Sequence, residues 1–267
     1  GPQSASDNPF TAKARKLQSH WRVQNGLEMG IGPNKNSVDQ KTGLPTYYGN
    51  MIKDGETSGR NFFYPETFAY AQWRVTKKMK DETIDGYRLF NNLMSSMPMA
   101  FNLFHPLMIL HVQNPIAVDK MLQNAFPDLP IYKVKEIGLE FIPTPIEQYT
   151  NDKSAMDAFV SFYDKEGGEY IIAIETKYTD SLGTNTASGK GVFDKQLGML
   201  KALNILTEEG IHKLESKEIP ISQIYRNLLL TEKYREMRGL KDSYSIILAP
   251  EEHPTTNNEI STLKKYL

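Results

Sequence analysis

Between Pro130 and Asp180 the apolar and β-branched residues gather into three stretches, "IYKVKEIGLEFIP", "SAMDAFVSFYD" and "EYIIAIETKYTD", divided by polar links containing Gly or Pro. Runs of this length predict three consecutive strands of a meander. A fourth run, "SYSIILAP", predicts a last strand. Between them, residues 191–209 and 221–238 have helical character, the second with Ser222 as a candidate N-cap and Gly239 as its stop. Upstream, "PETFAYAQWRVTKKMK" predicts a helix over 65–80 that opens on Pro and closes on cations. Further helices are predicted over 82–97 and 115–126. Residues 1–60 are polar and turn-rich ("GIGPNKN"), with one short helical candidate over 12–24. This predicts an α/β chain in which 1–60 form a partly irregular arm. Residues 61–267 then form one domain, helical over 61–128 and sheet-containing over 129–250.

Composition narrows the classes. With 267 residues, 39% of them hydrophobic, the chain can bury a large core. It has no cysteine, which removes disulfides and Cys-based zinc sites and fits a reducing cytoplasm. The five histidines lack any metal-ligand spacing, so a bound metal would be held by carboxylates. No apolar run approaches the roughly 18 residues of a membrane helix, and no signal-peptide pattern opens the chain, so a soluble, cytoplasmic protein without membrane association is expected. A formal net charge of −1 argues against an indiscriminate polyanion binder, yet leaves room for a local basic groove.

The chemistry concentrates in "IAIETKYTD". Strand side chains alternate, so Glu175 and Lys177 share one face while Thr176 takes the other. A charged pair beside a sheet core costs several kcal/mol unless it is compensated or used. A meander would lay Asp157, near the start of the preceding strand, beside Glu175. Two carboxylates suit Mg²⁺ or Mn²⁺, which typically take one or two protein carboxylates and recruit phosphate oxygens. A water activated there, with help from Lys177, could hydrolyse a phosphodiester.

In this order of elements and residues the chain resembles the PD-(D/E)XK nuclease superfamily, the restriction-endonuclease-like fold, over about residues 85–250. The blocks "MSSMPMAFNLFHPL", "GLEFIPTP", "MDAFVSF", "IAIETKYTD" and "QIYRNLLL" are similar to a bacterial branch of that superfamily. The resemblance implies a mixed sheet of four or five strands flanked by helices, with an N-terminal helical elaboration. It implies Asp157 and Glu175 as metal ligands, Lys177 as the catalytic lysine, the Thr176 carbonyl as a further ligand and Glu140 as an upstream acid completing the site. Gln223 and Arg226, at i and i+3 on one helix face, are implied to meet substrate, with Arg226 clamping a phosphate. The expected activity is hydrolysis of nucleic acid, DNA ahead of RNA, with Mg²⁺ or Mn²⁺; a homodimer is one option for the assembly. Met156 stands where the superfamily's name has Pro. The alternative is a binding module on a nuclease fold.

Other residues are better explained by packing. Lys13, Arg15, Lys16 and Arg22 read as a solvated helix face rather than a phosphate site. Asn102 and His105 read as a helix end stopping at Pro106. The aromatic clusters "NFFYPETFAYAQW" and "TYYGN" read as packing rather than base stacking.

Overall fold

The four apolar runs assemble into one sheet. A computed structural model describes residues 1–78, 81–180, 191–219 and 222–267. Its elements run α1 (Pro9–Gln24), β1 (Met29–Ile31), β2 (Tyr47–Ile52), α2 (Gly55–Ser58), α3 (Pro65–Thr76), α4 (Gly86–Asn91), α5 (Ser96–Gln113), α6 (Pro115–Ala125) and β3 (Lys133–Phe141). They continue through β4 (Met156–Tyr163), β5 (Glu169–Thr176), α7 (Val192–Ala202), α8 (Glu208–Glu215), α9 (Ser222–Arg238), β6 (Asp242–Leu248) and α10 (Thr256–Lys264). Strand order is β3-β4-β5-β6; the first two pairings are antiparallel and β5 pairs with β6 in parallel, giving the expected mixed sheet with four strands.

β4 and β5 are buried almost without interruption because both faces are covered. On one face Val160, Phe162, Ile172 and Ile174 meet Phe101 and Phe104 of α5 and Val118 of α6. On the other, Phe159, Ile171 and Ala173 meet Leu230 of α9 and Leu240. Gly138 of β3 lies opposite Phe159, and a Cβ at this glycine would overlap the Phe159 ring. Gly138→Ala is therefore expected to cost about 1–3 kcal/mol, the usual penalty of overpacking. Urea denaturation should show a lower midpoint; an unchanged midpoint would mean the ring has room to move.

Several helix boundaries depart from the pattern, each for a local reason. The predicted helix over 82–97 is two helices, because Asn92 turns extended and its side-chain oxygen accepts from the Met94 amide and from Asn50. Ser95 then caps α5. That helix runs through Pro106 to Gln113 instead of ending at the proline. Pro106 forgoes one helical hydrogen bond, but the apolar face of α5 is held against the sheet. The 191–209 helix is also two: Asn204 takes a left-handed backbone (φ 50°) after α7, and Thr207 caps α8. α3 stops at Thr76, short of the predicted end, and Lys80 lies outside the described residues. So do Ile221 and the Ser222 side chain, the predicted cap. Gly239 does follow α9 with a left-handed backbone (φ 63°).

The first 60 residues hold more structure than their polarity suggested. β1 and β2 form an antiparallel pair, and α1 packs on β2. Arg15 and Arg22, expected on a solvated face, are instead enclosed: Arg15 pairs with Asp7 at 2.6 Å, and Arg22 donates to the Gly49 carbonyl at 2.9 Å and to the Leu27 carbonyl. Their guanidinium groups serve carbonyls and a carboxylate that would otherwise be buried without partners. Lys13 and Lys16 are exposed.

Candidate active site

The sheet register brings the acids together. The Leu139–Ala158 and Phe141–Met156 pairs bracket Glu140 and Asp157 as cross-strand neighbours. One step beyond the Ala158–Ile174 pair, Asp157 faces Glu175. Three carboxylates thus lie in a row across β3, β4 and β5, at the ends where α9 crosses. Glu140 is reached through a left-handed backbone (φ 47°), uncommon for a residue with a side chain. Arg74 of α3 donates to the carbonyls of Leu139 at 2.7 Å and Glu140 at 3.1 Å, pinning that turn.

Lys177, just past β5, places its ammonium 2.7 Å from Glu175 Oε1, as the alternation predicted. Its own amide donates to the Leu248 carbonyl at 2.8 Å, so β6 fixes the lysine's backbone. Gln223 of α9 donates to the same Glu175 oxygen at 2.7 Å. Thr176 points to the opposite face, yet its amide and hydroxyl both donate to Asp157 Oδ2 at 2.8 Å. The hydroxyl also lies 3.3 Å from the Ser96 carbonyl, joining β5 to the start of α5. Asn227, one helical turn beyond Gln223, lines the same cleft, and its amide lies close enough to favour the charged form of Glu175.

Burial raises every acid of the row, and repulsion from Asp157 adds to it for Glu140 and Glu175. Glu140 is pushed to about 8 by burial first and then by Asp157, with Arg74 partly offsetting. Glu175 is pushed to about 7 by burial and then by Asp157, against the pull of Lys177. Burial also raises Asp157, despite its bonds from Thr176. For Lys177 burial alone would lower the ammonium, but attraction to Glu175 and Asp157 outweighs it and holds the lysine protonated. A protonated lysine donates hydrogen bonds and steadies negative charge; it does not take a proton from water.

These side chains line a cleft of about 520 Å³. Its cations are Lys177, Arg226 of α9, Arg88 of α4 and Lys153; its acids include Asp152 and Asp180. Arg88 lies 3.7 Å from Asp180, a loose exposed pair that a phosphate could displace. Both residues expected to meet substrate, Gln223 and Arg226, line the cleft, and Gln223 is bonded to Glu175. Sequence reasoning missed Arg74, Arg88, Lys153, Asn227 and the Thr176 side chain. Only Thr176, inside the acid-x-Lys motif, carried a local signal.

Among the described residues no group of three or more His, Asp or Glu side chains is gathered so as to hold a metal ion. The donor chemistry nonetheless fits a hard divalent cation, because hard carboxylate oxygens of Glu140, Asp157 and Glu175 line one cleft. The two tempting residues of α5 are structural. His105 is buried, stacks on Tyr70 and lies 3.1 Å from the Thr67 hydroxyl, and Asn102 bonds the backbone of Asn61 and Phe63. The aromatic cluster divides: Phe62 and Phe68 are packed in the core, whereas Phe63 and Tyr64 are exposed.

A family profile of the PD-(D/E)XK nuclease superfamily matches residues 5–267, beyond the expected 85–250. No curated protein and no solved structure matches the chain. Nucleases of this superfamily generally use divalent metals. No helix among the described residues is long and apolar enough to cross a membrane.

Proposed function

The chain belongs to the PD-(D/E)XK nuclease superfamily, and from that premise we propose that it hydrolyses nucleic-acid phosphodiesters, DNA ahead of RNA, with Mg²⁺ or Mn²⁺ as cofactor. The observation that carries the proposal is the convergence of Asp157, Glu175 and Lys177 on one cleft at the edge of three neighbouring strands.

Asp157 and Glu175 would hold the cation, with the Thr176 carbonyl beside them. Glu140, turned inward by its left-handed backbone, would act on the outer side of that set. When bound, the cation neutralises phosphoryl oxygens and acidifies the attacking water. The chain's own residues do the rest. Thr176 fixes the Asp157 carboxylate, and Gln223 fixes Glu175. Lys177, held protonated, would orient the water and steady charge as one P–O bond forms from water, whose proton passes to solvent, and the P–O bond to the leaving sugar oxygen breaks, that oxygen taking up a proton from solvent. Arg226 and Arg88, on separate helices lining the cleft, would clamp phosphates flanking the reacting one. Residues 61–267 would form the catalytic unit, braced by 1–60, in cytoplasm.

The test is cleavage of single- and double-stranded DNA and RNA by wild type and Glu175→Gln, in Mg²⁺, Mn²⁺ and EDTA. Cutting by wild type that disappears in EDTA and falls at least a hundredfold in the variant is expected, since the substitution removes a ligand charge. Cutting that survives both would overturn the assignment. An absence of cutting, with nucleic acid still bound, would favour the binding-module alternative.

A further inference from the structure

A second cavity adjoins the catalytic cleft and has the opposite chemistry. It encloses about 510 Å³, within the roughly 300–1,000 Å³ typical of ligand sites. α1 supplies Trp21, the loop before α3 supplies Phe63, α5 supplies Pro98, Met99 and Leu103, and Tyr178 closes one side. Where the cleft holds five acids, the only charged residue lining this groove is Arg60, among the described residues. Arg60 is exposed and has no ion pair among the described residues.

Consecutive residues line the two cavities at two places. Lys177 lines the cleft and Tyr178 the groove; Ser96 lines the cleft and Ser95 the groove. The backbone of Ser95–Ser96 and Lys177–Tyr178 is thus a wall common to the two cavities.

The groove is built rather than incidental. Phe63 is 75% exposed, yet its amide donates to Asn102 Oδ1 at 3.0 Å, and the Asn102 amide donates to the Asn61 carbonyl at 2.9 Å. The loop is thus pinned while its ring faces water. Tyr178 is fixed in turn, its hydroxyl accepting from Gln18 of α1 at 3.0 Å. Apolar burial gives no reason to hold an aromatic ring out in this way.

We propose that this groove receives an unstacked nucleobase next to the reacting phosphate, so that the substrate is single-stranded or frayed nucleic acid rather than intact duplex. The inference rests on the nuclease reading for its neighbouring phosphate. Aromatic faces stack any base with little regard to sequence, a neutral base tolerates an apolar lining, and Arg60 at the rim meets the phosphate that follows. A base locked in a duplex cannot enter.

Binding in EDTA isolates the groove from cleavage. A labelled oligothymidine strand and a blunt hairpin duplex are titrated against wild type, Phe63→Ala and Arg60→Ala. Phe63 is exposed, so its truncation leaves the core intact. Phe63→Ala is expected to weaken single-strand binding about tenfold while changing duplex binding less than twofold. In Trp73→Phe, which leaves Trp21 as the sole tryptophan of two, single strands should quench fluorescence and duplex should not. Equal affinity for both probes with no Phe63 effect, or quenching by neither, overturns the groove even if the protein cuts. Phe63-dependent binding without any cutting in Mg²⁺ or Mn²⁺ leaves the groove standing and overturns the nuclease reading instead.

Discussion

Lys177→Met should lower cation-dependent cleavage by about 10²–10⁴-fold, the range lost when a group acting on the reacting atoms is removed. Methionine keeps an unbranched apolar stem and removes the ammonium, both its charge and its N–H donors. In the folded chain that ammonium lies 2.7 Å from Glu175 and draws its carboxyl towards the charged form. Its loss should push Glu175 further towards the protonated form and weaken cation retention as well as charge stabilisation. Single-turnover rates at saturating Mg²⁺ separate these effects: extra cation should restore little of the rate if charge stabilisation dominates. Nucleic-acid affinity should change by less than threefold, since Arg226 and Arg88 remain. A variant that cuts within threefold of wild type would remove Lys177 from the reaction.

The second large effect concerns stability without metal. Glu140 is raised from 4.5 to about 8 in the folded chain and Glu175 from 4.5 to about 7, both chiefly by burial. Below pH 4.5 the folded and unfolded chains both carry these protons, and no difference arises. As pH climbs from 4.5 towards 8 the unfolded chain releases the Glu140 proton first, so folding stability falls and levels off only above the folded value. Each tenfold difference in proton affinity between the folded and unfolded chains is worth about 1.4 kcal/mol, so this loss amounts to several kcal/mol. Urea midpoints of metal-free protein at pH 5 and 8.5 should therefore drop steeply in wild type and less in Glu140→Gln, which cannot ionise. Added Mg²⁺ should lift the wild-type midpoint at pH 8.5, because binding to the folded chain alone is stabilising. Equal drops in both proteins would show that Glu140 ionises as freely in the folded chain as in the unfolded one.

How much of this was legible in the sequence depended on how local the cause was. The two central strands were readable because burial on both faces writes continuous apolar runs, and the Glu175–Lys177 pair was readable because alternation fixes its geometry. Asp157 could be placed beside Glu175 only by assuming a meander, which the register then supplied. Arg74 looked like a cation completing a helix end, since nothing in "QWRVT" reveals that the carbonyls of Leu139 and Glu140 will arrive beside it. The break at Asn92 was hidden for a related reason: its side chain is held by Asn50, far away in sequence. β1 and β2 escaped notice because one has three residues and the other contains Gly49, too little pattern to rise above a polar background.

The bond from the Lys177 amide to Leu248 has a consequence in the time order of synthesis. β3, β4 and β5 can pair as soon as they leave the ribosome, each next to its predecessor, and this alone aligns Glu140, Asp157 and Glu175. The lysine's backbone acquires its partner only when β6, made after α7, α8 and α9, slides in parallel to β5. A nascent chain therefore carries its acids aligned before its lysine is anchored. It gains the complete set only once β6 has been made and has docked on β5.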